Sequence, residues 1–270
     1  MDRINGLPAL GFGTFGRKGE DGIETMRLAL ETGYRHLDTA QMYENEEEVG
    51  EALRRSGLLR GEVWLTTKIN MPNFAPGKLV PSLEESLEKL GVDEVDLTLI
   101  HWPSPNDEYE LETYMTQIAE AKEKGLTRHI GVSNFTIALI DQSIGLLGEG
   151  ALATNQVELH PYLQNRKLAE HCKSKDIAVT CYQPLAKGTV SDDPKLVEIA
   201  DKHGATAPQV ALAWELAQGF VTIPTTSNAD RVAENFGALN VTLDDDDMAA
   251  IGELDRGQRR IDPDTAPDWD

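Results

Sequence analysis

Asp38, Tyr43, Lys68 and His101 place a carboxylate, a phenol, an ammonium and an imidazole within the first 101 residues. Together such groups can deliver one proton to a developing negative charge. A free tyrosine is a slow acid at neutral pH, with a pKa of about 10. An adjacent ammonium favours the phenolate and lowers that value, and a carboxylate beside the ammonium keeps it charged and in position. Each residue also has an ordinary use when taken singly. Lys68 suits a surface, Asp38 a helix cap or an ion pair, and Tyr43 a packed aromatic cluster. Proton donation requires the four to converge, so the elements that carry them decide.

Short apolar runs of strand type alternate with longer helical segments along the chain. The strands are expected at 9–14, 34–39, 63–67, 95–101, 128–133, 153–158, 177–183 and 220–224. They read as parallel strands buried on both faces. Apolar residues at three- and four-residue spacing predict helices at 45–55, 78–90 and 109–124, the second stopping at Gly91, and one more at 243–254. The tail 261–270, with Pro263, Pro267 and Trp269, reads as an ordered loop or cap. Eight β–α units without a linker fit a closed (β/α)8 barrel spanning 1–270 as one domain, with an open doubly wound sheet as the structural rival. Each expected strand delivers a polar group at its C-terminal end. In order these are Thr14, Asp38, Lys68, His101, Ser133 with Asn134, Gln156, Tyr182, and Thr225 with Thr226. That rim is where α/β barrels hold their active sites.

Residues 11–16, Gly-Phe-Gly-Thr-Phe-Gly, match the dinucleotide fingerprint G-x-G-x-x-G. The fingerprint must open a helix directly, so that pyrophosphate meets the helix N-terminus. Here Gly19 and Gly22 follow and oppose helix formation. A tight strand-end loop at the barrel rim is expected instead. The two cysteines, Cys172 and Cys181, have neither metal-ligand nor disulfide spacing and are read as small buried hydrophobes. The remaining histidines, His36, His129, His160, His171 and His203, are read as structural or exposed. No metal site is expected.

The formal net charge is −21, from 46 acidic and 25 basic residues, a balance that repels phosphate backbones and excludes nucleic acid as a partner. The acidic runs 46–48 and 244–247 are read as solvated helix faces. The excess acidity fits a salt-rich cytoplasm, where screening removes self-repulsion. No stretch approaches the roughly 18 apolar residues that span a membrane. No apolar core of a secretory signal stands at the N-terminus, so a cytoplasmic location is expected.

Residues 33–40, Gly-Tyr-Arg-His-Leu-Asp-Thr-Ala, with Tyr43, Asn45 and Glu46, resemble the signature of the aldo-keto reductases. Residues 130–135, Ile-Gly-Val-Ser-Asn-Phe, and 155–158, Asn-Gln-Val-Glu, are similar to two further segments of that family. The stretches 97–107 and 162–167 and the ending 266–270 look most like its bacterial diketogluconate and methylglyoxal reductases. The resemblance implies hydride transfer from a nicotinamide to a carbonyl carbon, with Tyr43 protonating the alkoxide. Lys68 paired with Asp38 would tune Tyr43, and His101 would orient the carbonyl oxygen. It implies that Ser133, Asn134 and Gln156 hold the nicotinamide carboxamide, that Tyr182 stacks on its ring, and that Thr14 also borders the cofactor. The loop of Leu185, Lys187 and Gly188 would lie over the pyrophosphate, with Lys187 either a phosphate contact or an exposed loop residue. Arg231, Glu234 and Asn235 match the family's pattern around the adenosine. One departure stands out: a family Ile-Pro-Lys-Ser is here Ile223-Pro224-Thr225-Thr226, so the lysine expected at the 2′-phosphate is a threonine. NADPH is the expected cofactor, with NADH left open.

Phe15 and Trp102 are candidate substrate-pocket walls, with Asn70 and Trp269 as further candidates. The expected partner is a small carbonyl compound, and the expected state a monomer. A cofactor-sensing protein on the same barrel is the second reading, although a binder has no need of the Tyr-Lys-Asp arrangement. A barrel hydrolase or isomerase is the third. It would require a metal site or a carboxylate pair, and the rim offers only Asp38 at a strand end.

Overall fold

Each apolar run becomes a strand flanked by helices in the computed structural model, which describes residues 3–270. A hairpin of β1 (Arg3–Ile4) and β2 (Leu7–Pro8) precedes the barrel. The barrel strands are β3 (Phe12–Gly13), β4 (His36–Asp38), β5 (Trp64–Ile69), β6 (Val95–Ile100), β7 (Thr127–Ser133), β8 (Leu152–Glu158), β9 (Ala178–Tyr182) and β10 (Val221–Thr222). All eight are parallel and pair in sequence order. The ends of the sheet meet. Thr222 N donates to Ala9 O at 2.9 Å, Gly11 N to Thr222 O at 2.9 Å, and Gly13 N to Pro224 O at 3.0 Å. This seam closes the sheet into the expected (β/α)8 barrel and disposes of the open-sheet rival.

Helices α1 (Gly19–Thr32), α2 (Glu46–Ser56), α3 (Leu79–Leu90), α4 (Leu111–Glu123), α5 (Ile137–Leu147) and α6 (Arg166–Ser174) each follow one strand, β3 through β8 in turn. Two helices, α7 (Pro194–His203) and α8 (Ala207–Ala217), fill the connection from β9 to β10, and α9 (Ala229–Phe236) and α10 (Asp245–Gly252) follow β10. Local chemistry sets the helix ends. Asp193 caps α7 by accepting from Lys195 N and Leu196 N, and Thr206 and Gln209 form a capping box at α8. Gly91 ends α3 as expected. Its φ of +67° is a left-handed conformation that costs a glycine little.

The eighth strand is shorter than its apolar run. Pro224 has no amide to donate, and Phe220 N is spent on Glu215 O at 3.2 Å, closing the end of α8. The third is longer than expected and takes Lys68 into β5 itself, between two buried neighbours. At the N-terminal mouth, Leu7 of the hairpin packs into one apolar cluster with Trp64, Leu97, Leu99, Ala178, Val221 and Ile223. Trp64, Ala178 and Val221 each begin their strands, so the hairpin covers the bottom of the barrel, and Ile223 carries the cluster up to the cavity at the opposite rim.

The Gly-rich segment forms a strand end and a turn, as expected. Arg17 N donates to Thr14 O at 2.9 Å, and α1 begins only at Gly19. Gly11 is required by close packing: a Cβ there would stand 2.6 Å from His36 Nδ1. Two acidic residues depart from the solvated reading. Glu46 is buried and accepts from Thr67 Oγ1 at 2.6 Å. Asp247 is buried and meets Lys202 Nζ at 2.8 Å and His203 Nε2 at 2.6 Å. A buried carboxylate is tolerated when its oxygens are partnered in this way. Both cysteines are buried and unpaired. Among the described residues no cluster of three or more metal-ligating side chains exists, and no helix is long and apolar enough to cross a membrane.

Candidate active site

Asp38 ends β4 and Lys68 is the penultimate residue of the adjacent β5, with both side chains on the barrel interior. Lys68 Nζ makes an ion pair with Asp38 Oδ1, donates to Thr39 O at 2.8 Å, and stands 3.5 Å from Tyr43 Oη. Lys68 is 0 % exposed and Asp38 2 %, so this pair is held away from bulk water. The second Asp38 oxygen accepts from Gln156 Nε2 at 2.7 Å, across the barrel. Every strong acceptor and donor of the pair is thereby satisfied, the condition under which a buried charge pair persists.

Tyr43 reaches the site from a short turn, Gln41–Tyr43, that is anchored on both sides. Gln41 Oε1 accepts from Asn70 N at 2.9 Å and Asn73 Nδ2 at 3.0 Å. Asn45 Nδ2 donates to Thr14 O at 2.8 Å and Arg17 O at 3.0 Å, while its Oδ1 accepts from Thr39 Oγ1 at 2.8 Å. The Tyr43 ring meets Phe15 edge-on at 5.1 Å and His101 at 5.6 Å between centroids. Only the cavity side of Tyr43 is open.

Burial pushes the Tyr43 phenol above its ordinary value, against the pull of the Lys68 ammonium. The expected lowering by Lys68 is therefore present as one influence but does not prevail, and the hydroxyl is protonated at neutral pH. Burial opposes the charge on Lys68, yet Asp38 and Tyr43 together hold its ammonium above the lysine value. Burial, then Lys68, drives His101 well below the histidine value, so it is a neutral imidazole.

A cavity of about 580 Å³ opens onto these groups. Tyr43 and His101 line it, with Thr14, Ser133, Asn134, Gln156, Tyr182 and Thr225 from the expected cofactor set. Their order is fixed by hydrogen bonds. Tyr182 Oη donates to Asn134 Oδ1 at 2.7 Å, Asn134 Nδ2 to His101 O at 3.0 Å, and Ser133 Oγ to Gln156 O at 2.8 Å. Phe15, Asn70 and Trp102 also line the cavity, and Trp269 stands behind Trp102 at 6.1 Å. A second cavity of about 340 Å³ gathers Leu185, Gly188, Arg231, Glu234 and Asn235. Thr226 belongs to neither wall: its Oγ1 accepts from Asn228 N at 3.0 Å in the turn entering α9. Lys187 is exposed, and its Nζ donates to Arg260 O at 3.2 Å.

The register of strand ends did not point to Arg260, Ile261, Asp262, Pro263 and Thr265, which close one side of the main cavity. A tail has no periodicity to read. The expectation of Asp38 as the single strand-end carboxylate is corrected: Glu158 ends β8, two positions beyond Gln156 and so on the same interior face, a placement that the strand's two-residue period carries.

Comparison with known proteins agrees with this geometry. Residues 9–256 match the aldo/keto reductase family. The chain is 48% identical over 265 residues to the methylglyoxal reductase DkgB of Escherichia coli O157:H7, covering 98% of this chain and 99% of that one. It is 39% identical to a 9,11-endoperoxide prostaglandin H2 reductase of Trypanosoma cruzi, over 94% of this chain and 89% of the relative. Among solved structures it superposes with a TM-score of 0.95, at 40% identity, on a protein provisionally called 2,5-diketo-D-gluconic acid reductase B, covering 98% and 95% of the two chains. The aldose reductase of Schistosoma japonicum matches with a TM-score of 0.92 at 29% identity, covering 97% and 95%. A matched signature, a shared barrel and a buried Asp-Lys-Tyr chain at its open rim lead to one assignment: this chain belongs to the aldo/keto reductase family.

Proposed function

We propose that the protein reduces small aldehydes and ketones, α-dicarbonyls and keto-sugar acids among them, with NADPH as hydride source and Tyr43 as proton donor. The observation that carries this reading is the buried chain from Asp38 through Lys68 to the Tyr43 hydroxyl: Asp38 and Tyr43 both border the cavity, and Tyr43 is the member that holds a transferable proton there. The cavity walls suit a dinucleotide. The ring of Tyr182 offers a stacking face, and the amides of Asn134 and Gln156 stand beside it. The second cavity adds the exposed guanidinium of Arg231 and the buried amide of Asn235. An arginine fork suits a phosphate or an adenine face.

A reduced nicotinamide held there by Tyr182, Asn134 and Gln156 would supply hydride chemistry at the carbonyl carbon. As the carbonyl electrons move onto oxygen, Tyr43 Oη gives that oxygen its proton. Lys68 stabilises the phenolate left behind, and Asp38 holds Lys68 charged and aimed. His101, neutral, orients the carbonyl oxygen without adding a competing charge. Phe15 and Trp102 exclude water, which strengthens each of these interactions. Loss of reduced-cofactor absorbance with methylglyoxal and with a diketo-sugar acid tests the reading. Turnover is expected with NADPH. Tight cofactor binding with no turnover of any carbonyl would instead identify a cofactor-sensing protein.

Thr225 borders the main cavity and is exposed, so it can carry a longer side chain without repacking. Thr225→Lys should shift the NADPH-to-NADH ratio of kcat/KM roughly tenfold toward NADPH, the yield of one charge-assisted hydrogen bond of about 1.5 kcal/mol. An unmoved ratio places the 2′-phosphate elsewhere. The family resemblance favours a monomer and the unbroken β–α series one domain, while the acidic excess favours adaptation to a salt-rich cytoplasm. Molar KCl should then raise the thermal midpoint by screening the net charge of −21. Equal midpoints in dilute and molar salt would rule that adaptation out.

A further inference from the structure

Glu158 ends β8 with its side chain 0 % exposed, two residues beyond Gln156. Both of its carboxyl oxygens are engaged. Oε1 accepts from Arg260 N at 2.7 Å and from His160 Nε2 at 3.0 Å, and Oε2 accepts from Ile261 N at 2.8 Å. The two amides belong to the C-terminal tail, more than 100 positions away in sequence, at the point where the tail begins to line the reaction cavity. A second tie sits beside the first. Lys187 Nζ donates to Arg260 O at 3.2 Å, and Arg260 Nη2 donates to Thr189 Oγ1 at 3.0 Å. The tail has no regular secondary structure of its own from Arg259 onward, so these bonds replace the ladder that would otherwise fix its backbone.

We propose that Glu158 is a positioning residue for carbonyl reduction: it pins the C-terminal tail at Arg260 and Ile261 as the wall against which the substrate binds. Glu158 touches none of the reacting groups. Its contribution is to hold the wall in place before the substrate arrives, which reduces the ordering that binding would otherwise require. The inference rests on the reductase reading above.

Glu158→Gln is nearly isosteric and sets an N–H against an amide N–H at one of the two tail bonds. It should raise KM for methylglyoxal about tenfold and leave kcat within about twofold, the pattern of a lost binding contribution made equally in ground and transition states. NADPH affinity, read by quenching of protein fluorescence, should stay unchanged. Ile261→Pro removes the matching donor from the tail side, and Ile261→Ala, which keeps that amide, measures the loss of the side chain from the cavity wall; relative to Ile261→Ala, the proline variant should show the same rise in KM as Glu158→Gln. The double variant should be no worse than either single one, because both break one bond. Additive effects, an unchanged KM, or a fall in kcat alone would overturn the proposal. A readout independent of turnover separates its failure from that of the reductase reading. Amide exchange at Arg260 and Ile261 should be slow in the parent protein and fast in Glu158→Gln, and equal rates would show that no clamp exists.

Discussion

Tyr43→Phe should lower kcat for every carbonyl substrate by about 10²–10⁴-fold, the usual contribution of a positioned general acid. The fold should not notice the change. The phenol oxygen has a single protein partner, Lys68 Nζ at the long distance of 3.5 Å, while the ring keeps its edge contacts with Phe15 and His101. NADPH should bind as before, because none of the cavity's amide and hydroxyl hydrogen bonds passes through Tyr43. Rapid-mixing measurement of a single turnover, alongside a fluorescence titration of cofactor, separates the two effects. Retained turnover would remove Tyr43 from the chemistry altogether. The pH profile supplies a second check. Burial raises the phenol, so the protonated donor persists from neutral pH up to and beyond the ordinary tyrosine value of about 10, and activity falls only as pH rises through the raised value.

Replacing the buried ammonium should strike stability and catalysis together. Lys68→Met leaves Asp38 in the barrel interior with only Gln156 Nε2 for its side chain, and leaves Thr39 O without its donor. Breaking one partner of a buried ion pair costs about 3–5 kcal/mol. For a domain of this size that lowers Tm by roughly 10 °C. Activity should fall as well, since no cation remains to stabilise the phenolate. The double variant Asp38→Asn with Lys68→Met distinguishes the two roles. Removing the stranded carboxylate should recover much of the lost Tm, while turnover stays as low as in Lys68→Met alone. Recovery of activity in the double variant would show that the pair is structural only. Calorimetry and the absorbance assay on the same preparations decide between these outcomes.

The two expectations rest on residues that were legible at different depths. Asp38, Lys68 and His101 stand at or beside the ends of consecutive buried strands, so the period of apolar runs locates them from sequence alone. Tyr43 lies in a loop. Its place came from its distance to Asp38 and from family resemblance, and the structure adds the reason that it stays there: the Gln41 and Asn45 hydrogen bonds that anchor the turn. Glu46 and Asp247 read as surface charge because composition carries no information on which acid finds a buried partner. Thr226 followed Thr225 in the sequence motif but turns into the start of α9, a choice made by Asn228 rather than by strand register.

The amino-acid sequence by itself determined the eight-fold alternation, the polar groups at the strand ends and the family. Those depend on local pattern, which folding preserves. Tertiary structure alone decided the balance of charges on Tyr43, because burial and the Lys68 ammonium act in opposite directions and only their distances weigh them. It alone also decided how the tail closes the cavity, because Glu158 meets Arg260 and Ile261 across more than 100 positions, and no local pattern records a contact of that span.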